Sequence, residues 1–92
     1  MRWNYTFYRG RINEKELFEQ IESNFEKIYE INKPAERYRI YYKEDVGLLR
    51  IKKYMNLFEI RYVPLKQCDS KLERKISKIF DEFNKSNGQK GQ

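Results

Sequence analysis

Ninety-two residues suffice for one domain and leave little room for a large buried active site. Twenty Lys and Arg against fourteen Asp and Glu give a net charge of +6 and a pI near 9.4, while 39% hydrophobic residues provide enough for a core, so this is a foldable basic domain and not a disordered tail. The absence of histidine removes triad chemistry and His-bearing metal sites, and no apolar run approaches the ~20 residues of a membrane span.

Residues 1–12 alternate aromatic and polar types at Trp3, Tyr5 and Phe7, which predicts an N-terminal edge strand or a docking arm. The single domain is expected over residues 13–85. Asn13 followed by Glu16 reads as a capped helix start, and Leu17, Phe18, Ile21, Phe25, Ile28 and Tyr29 recur at helical spacing. That helix is expected to stop near Ile31 or Asn32, because Pro34 disfavours helical geometry in the residue before it.

Residues 37–63 predict three antiparallel strands. In the first, Tyr38, Ile40 and Tyr42 are expected to face the core, with Arg37, Arg39, Tyr41 and Lys43 outward. Glu44 to Gly47 forms a turn. Leu49 and Ile51 then face inward with Arg50 and Lys52 outward, and Phe58, Ile60 and Tyr62 face inward with Glu59 and Arg61 outward. Pro64 ends the ladder because it has no N–H to donate.

Cys68, the single cysteine, has no internal disulfide partner, so a reducing compartment fits, and the chain is read as cytoplasmic or nuclear. Ser70 and Glu73 form a capping box that opens a second helix with Leu72, Ile76, Ile79, Phe80 and Phe83 on its apolar face. Residues 86–92 are expected to be a loose polar tail. The predicted architecture is α+β, in the order helix, three-stranded antiparallel sheet, helix, with both helices on one sheet face and the other face bare.

Charge is sorted by element. The stretch 13–31 holds six Glu against two Lys, and the stretch 37–66 holds eight bases against three acids. Alternation is expected to bring Arg37, Arg39, Lys43, Arg50, Lys52 and Arg61 onto the bare face, with Tyr41 among them. Like charges so close together repel, which an anionic ligand would relieve. Nucleic acid is the expected ligand. RNA is favoured over DNA because neither helix is read as basic enough along one side to enter a major groove.

From Phe18 to Phe83 the chain resembles the nine-kilodalton subunit of the signal recognition particle. The resemblance is carried by Phe18-x-x-Ile21, Glu26-Lys27-Ile28-Tyr29, the run Arg37 to Lys43, Leu49-x-Ile51-Lys52, Phe58-x-Ile60-x-Tyr62 and Lys71 to Ile76. It implies a non-enzymatic subunit with no cofactor that pairs with a fourteen-kilodalton sister subunit and binds Alu-type RNA of the particle. Through the assembled particle it would act on the ribosome, arresting elongation during targeting, without inserting into the membrane itself. Arg37, Lys43 and Lys52 match the family's basic contact positions. Tyr41 stands where that family has a basic residue, so its contact is expected to be a hydrogen bond or a stack instead; Val63 replaces another basic position, which puts a contact there in doubt; Arg39, Arg50 and Arg61 add charge that the pattern does not require.

Two rival readings fit the same sequence. A small ribonuclease toxin would use Arg39, Tyr41, Lys52 and Arg61, and an interaction protein would dock its basic sheet on an acidic protein or an anionic membrane surface. A charge introduced at Ile40 or Ile60 is expected to unfold the domain, since both are assigned to the core.

Overall fold

The computed structural model describes residues 2–90, with side chains to residue 85. It contains strand β1 (Trp3–Tyr8), a short 3-10 turn (Arg9–Arg11), helix α1 (Glu14–Asn24), strands β2 (Glu26–Lys33), β3 (Glu36–Lys43), β4 (Gly47–Lys53) and β5 (Leu57–Pro64), and helix α2 (Ser70–Lys90). The five strands form one antiparallel sheet in the order β1-β5-β4-β3-β2. The three-stranded α-β-β-β-α arrangement is therefore replaced by a five-stranded α+β sheet. Both added strands are edges. One is the N-terminal segment, and the other comes from residues predicted as the end of the first helix.

Helix α1 starts as its sequence dictates, with the Asn13 side chain accepting from the Glu16 N–H at 3.0 Å. It ends seven residues earlier than predicted. Ser23 Oγ and Asn24 Nδ2 donate back to the Glu19 and Gln20 carbonyls, offering the backbone a local alternative to further helix. Beyond Phe25, the residues Ile28, Tyr29 and Ile31 sit in a hairpin with β3 closed at Pro34-Ala35, so cross-strand pairing with Glu36–Lys43 wins over helical periodicity. A register irregularity between Lys27 and Tyr29 absorbs the entry into the strand.

Both helices lie on the same side of the sheet. Phe80 of α2 packs on Trp3 and Tyr5 of β1 at centroid distances of 4.9 and 6.2 Å, and Phe18 of α1 meets Phe58 of β5 edge-on at 5.3 Å. Leu17, Ile21, Phe58, Ile60, Tyr62, Ile76 and Phe80 are buried between the layers. Burying a chain's large side chains in one such layer supplies the main driving force for folding. The predicted apolar faces of β4, β5 and α2 are those that the structure buries. The cap of α2 differs from the expected box, for Asp69 Oδ1 accepts from the Lys71 and Leu72 N–H groups. Glu73 instead turns inward and accepts from the Tyr62 hydroxyl at 2.8 Å. Residues 86–90 continue α2 where a loose tail was expected, and residues 91 and 92 of that tail lie outside the described residues.

The β3–β4 turn holds Asp45 at φ 63°, a left-handed conformation that Asp tolerates better than most residues. Gly47, the first residue of β4, faces a tighter restriction: an added Cβ would press into the Val63 carbonyl oxygen and stand 2.9 Å from Pro64 Cα. Gly47→Ala is expected to destabilise the domain by about 1–3 kcal/mol through this backbone clash. A urea titration followed by circular dichroism checks it, with a lower midpoint at unchanged slope. Among the described residues no helix is long and apolar enough to cross a membrane, and no cluster of three acidic or thiol groups is placed to hold a metal ion.

Candidate nucleic-acid interface

The register of β3 against β4 decides where the basic residues go. Arg39 is opposite Ile51, Tyr41 opposite Leu49 and Lys43 opposite Gly47, so these three share the face that carries the helices, as does Arg37 by alternation. Tyr38, Ile40 and Tyr42 face the other way. The predicted parity of this strand is thus reversed, and the seven predicted contact residues divide between two faces. Arg50, Lys52 and Arg61 occupy the open face; Arg37, Arg39, Tyr41 and Lys43 do not. The ribonuclease cluster divides likewise, Arg39 and Tyr41 on one side and Lys52 and Arg61 on the other.

On the helix side Arg39, Lys53 and Arg9 have structural partners. Arg39 donates from Nε to Glu30 at 2.8 Å, lies 4.0 Å from Glu22 and covers the Phe18 ring at 5.1 Å. Lys53 and Arg9 both reach Glu14 at 3.1 Å. Burial pushes the Glu14 carboxyl up, but hydrogen bonds from Lys53 and Arg9 outweigh it and hold the group below the usual carboxylate range. Glu14, Glu22 and Glu30, three of the six glutamates of the 13–31 stretch, are therefore counterions for neighbouring basic residues. Arg37 is exposed at the end of β3 and Lys43 is half-buried beside Gly47.

Tyr41, expected on the surface, is fully buried. Its hydroxyl donates to Glu22 at 2.8 Å and accepts from Arg39 at 3.3 Å. Burial, reinforced by Glu22, pushes this phenol up to about 12, and burial together with Asp81 does the same for Tyr5. Both groups lose protons less readily in the folded chain than in the unfolded one, where ionisation begins near pH 10. Their stabilisation is thus present below pH 10 and is lost as pH rises towards 12. Urea midpoints measured at pH 9, 10.5 and 12 are expected to fall across this window, and less steeply for Tyr41→Phe.

The open face follows a different logic. Reading across the sheet, one row runs Asn4, Arg61, Arg50, Ile40, Tyr29, and the next runs Thr6, Glu59, Lys52, Tyr38, Ile31. Arg50 and Arg61 are directly opposite one another, an arrangement that repels. Arg50 Nε donates to the Tyr38 hydroxyl at 2.8 Å and Arg61 Nε to Asn4 Oδ1 at 3.2 Å. These bonds fix the guanidinium planes without neutralising them. Among the described residues, none of the ion pairs involves Arg50, Lys52 or Arg61. With Tyr38 and Glu59 they line a shallow depression in the middle of the sheet.

On β2 and β3 the middle of this face is apolar and aromatic, with Glu26, Lys33 and Glu36 towards its ends. Tyr29 and Ile31 on β2 and Tyr38, Ile40 and Tyr42 on β3 cover the half away from the arginines, and the Tyr29 and Tyr38 rings meet edge-on at 6.3 Å. Sequence reasoning missed these tyrosines as surface groups. The available signal was the hairpin itself, Tyr29 and Ile31 alternating ahead of Asn32-Lys33-Pro34-Ala35-Glu36. Comparison of the chain with known protein families, curated proteins and solved structures finds no match.

Proposed function

We propose that the protein is an RNA-binding module that takes the phosphate backbone on its open sheet face through Arg50, Arg61 and Lys52. The observation that carries this reading is the contrast between faces. Arg39, Lys53 and Arg9, under or beside the helices, each reach a carboxylate, whereas among the described residues the cations on the bare face form no ion pair and two of them stand opposite each other. Arginine forks suit phosphate oxygens, and the side-chain hydrogen bonds of Arg50 and Arg61 are made from Nε, not from the terminal nitrogens. A sheet surface tracks a backbone and does not enter a duplex groove.

Membership of the nine-kilodalton subunit family, pairing with a fourteen-kilodalton sister and elongation arrest rest on the resemblance alone. The α-β-β-β-α order through which that resemblance supplies a shared sheet is not the order of this chain. RNA binding by the open face needs neither the particle nor the sister subunit.

Fluorescence anisotropy with a labelled single-stranded RNA of about twenty nucleotides tests the proposal. Three phosphate contacts should make affinity fall about 20-fold between 50 and 200 mM salt, because each neutralised phosphate releases counterions. Absence of binding at 50 mM salt, or displacement of the RNA by polyglutamate at equal charge concentration, would overturn it.

A further inference from the structure

The open face is divided lengthwise. Lys33 at one end of β2 aside, its cations stand on the central strands β4 and β5 and, apart from Tyr8 at the far edge on β1, its rings stand on β2 and β3, so a boundary between charge and aromatic surface runs parallel to the strands, between β3 and β4. Across that boundary Lys52 is directly opposite Tyr38, and Arg50 is opposite Ile40 with Tyr29 beyond it. Tyr29 is 48% exposed although it lies in a strand, and Tyr38 and Tyr42 are half-buried with Ile40 between them. Tyr38 is also held in place by its hydroxyl, which accepts from Arg50.

A duplex presents phosphates on its outside and keeps its bases stacked within, so it would use the cationic half of this face and leave the tyrosines without a role. A single strand has both groups available at once, its phosphates on one side and unstacked bases on the other. We infer that the face binds single-stranded RNA laid along the β3–β4 boundary, with phosphates on Arg50, Lys52 and Arg61 and bases stacked on Tyr38, Tyr42 and Tyr29. This inference rests on the RNA-binding reading above and adds the strandedness and the base platform. Tyr38 and Tyr42 are four residues apart on one strand, roughly 13 Å, so they receive different bases. The platform reads π-faces and not hydrogen-bonding edges, and sequence preference is correspondingly weak.

Four probes separate this from phosphate binding alone: the labelled single-stranded RNA, the same RNA annealed to its complement, the same strand carrying abasic residues, and the single strand with variant proteins. The single strand is expected to bind at least tenfold more tightly than the duplex or the abasic strand at equal salt. Tyr38→Leu should weaken single-strand binding about 5- to 100-fold more than Tyr38→Phe, which keeps the ring and loses only the hydroxyl that holds Arg50, while the two variants should bind the duplex alike. Equal affinity for abasic and intact strands, or an unchanged Tyr38→Leu alongside a weakened Arg61→Glu, would overturn the base platform and leave the phosphate contacts standing. If Arg61→Glu also binds as the parent does, the RNA reading fails with it.

Discussion

The Arg61→Glu variant is expected to fold, to be more stable than the parent by about 0.2–1 kcal/mol, and to bind RNA about 10- to 100-fold more weakly. The two effects have one cause. Arg61 stands directly opposite Arg50 on adjacent strands, so the parent carries a like-charge pair in the position where sheets favour opposite charges. Replacing one member with a carboxylate converts repulsion into attraction and returns the gain to the fold. The same change leaves one phosphate without its cation and sets a negative charge in the path of the backbone. The slope of log affinity against log salt should shrink by about 0.7, the increment for one phosphate of a single strand that is no longer neutralised.

Arg39→Gln supplies the contrast. Arg39 is engaged by Glu30, Glu22 and the Tyr41 hydroxyl beneath α1, so its replacement should lower stability slightly and leave RNA affinity at the parent value. Urea denaturation and anisotropy on the same three proteins read both quantities. A destabilised Arg61→Glu, or an Arg39→Gln that no longer binds RNA, would place the functional cations on the wrong face.

Much of this arrangement was legible in the residues. Asn13 with Glu16, the Glu44 to Gly47 turn, the inward sets Leu49/Ile51 and Phe58/Ile60/Tyr62, and the Ile76/Phe80 face of α2 all follow from local pattern, and each is found where it was expected. What failed was the segment whose two periodicities overlap. Phe25, Ile28 and Tyr29 continue the helical spacing of Leu17 and Ile21, while Tyr29 and Ile31 begin a strand alternation. A short window cannot separate these, and the deciding term is the non-local hairpin with β3. The parity error in β3 has the same origin. Hydrophobic alternation alone places Tyr38, Ile40 and Tyr42 inward, but β3 lies towards the margin of the helical layer, where of its residues only Tyr41 is fully buried and Glu30 of β2 and Glu22 of α1 neutralise Arg39. Segregated charge was visible in the sequence. Its meaning was mixed, since part of it is internal pairing and part is an exposed cationic surface.

That register makes a second large and opposite pair of effects measurable. Tyr41→Ala is expected to cost about 3–5 kcal/mol, because it deletes a fully buried aromatic ring and leaves Glu22 and Arg39 without the hydroxyl that joins them. For a domain of this size, whose total stability is of the order of 5–15 kcal/mol, such a loss brings the chain close to unfolding at 37 °C. Ile40→Ala, one residue earlier, should cost less than about 1 kcal/mol, because its side chain lies on the open face beside Arg50 and Tyr29. For the same reason Ile40→Asp should fold, contrary to the expectation from alternation, since the carboxylate would face solvent opposite the Arg50 guanidinium; Ile60→Asp, buried at 1% exposure, should not. Urea midpoints for Tyr41→Ala and Ile40→Ala rank the two positions directly. If Ile40→Ala proves the more damaging, Tyr38, Ile40 and Tyr42 belong to the core, the tyrosines leave the open face, and the cations of β3 join those of β4 and β5 on it.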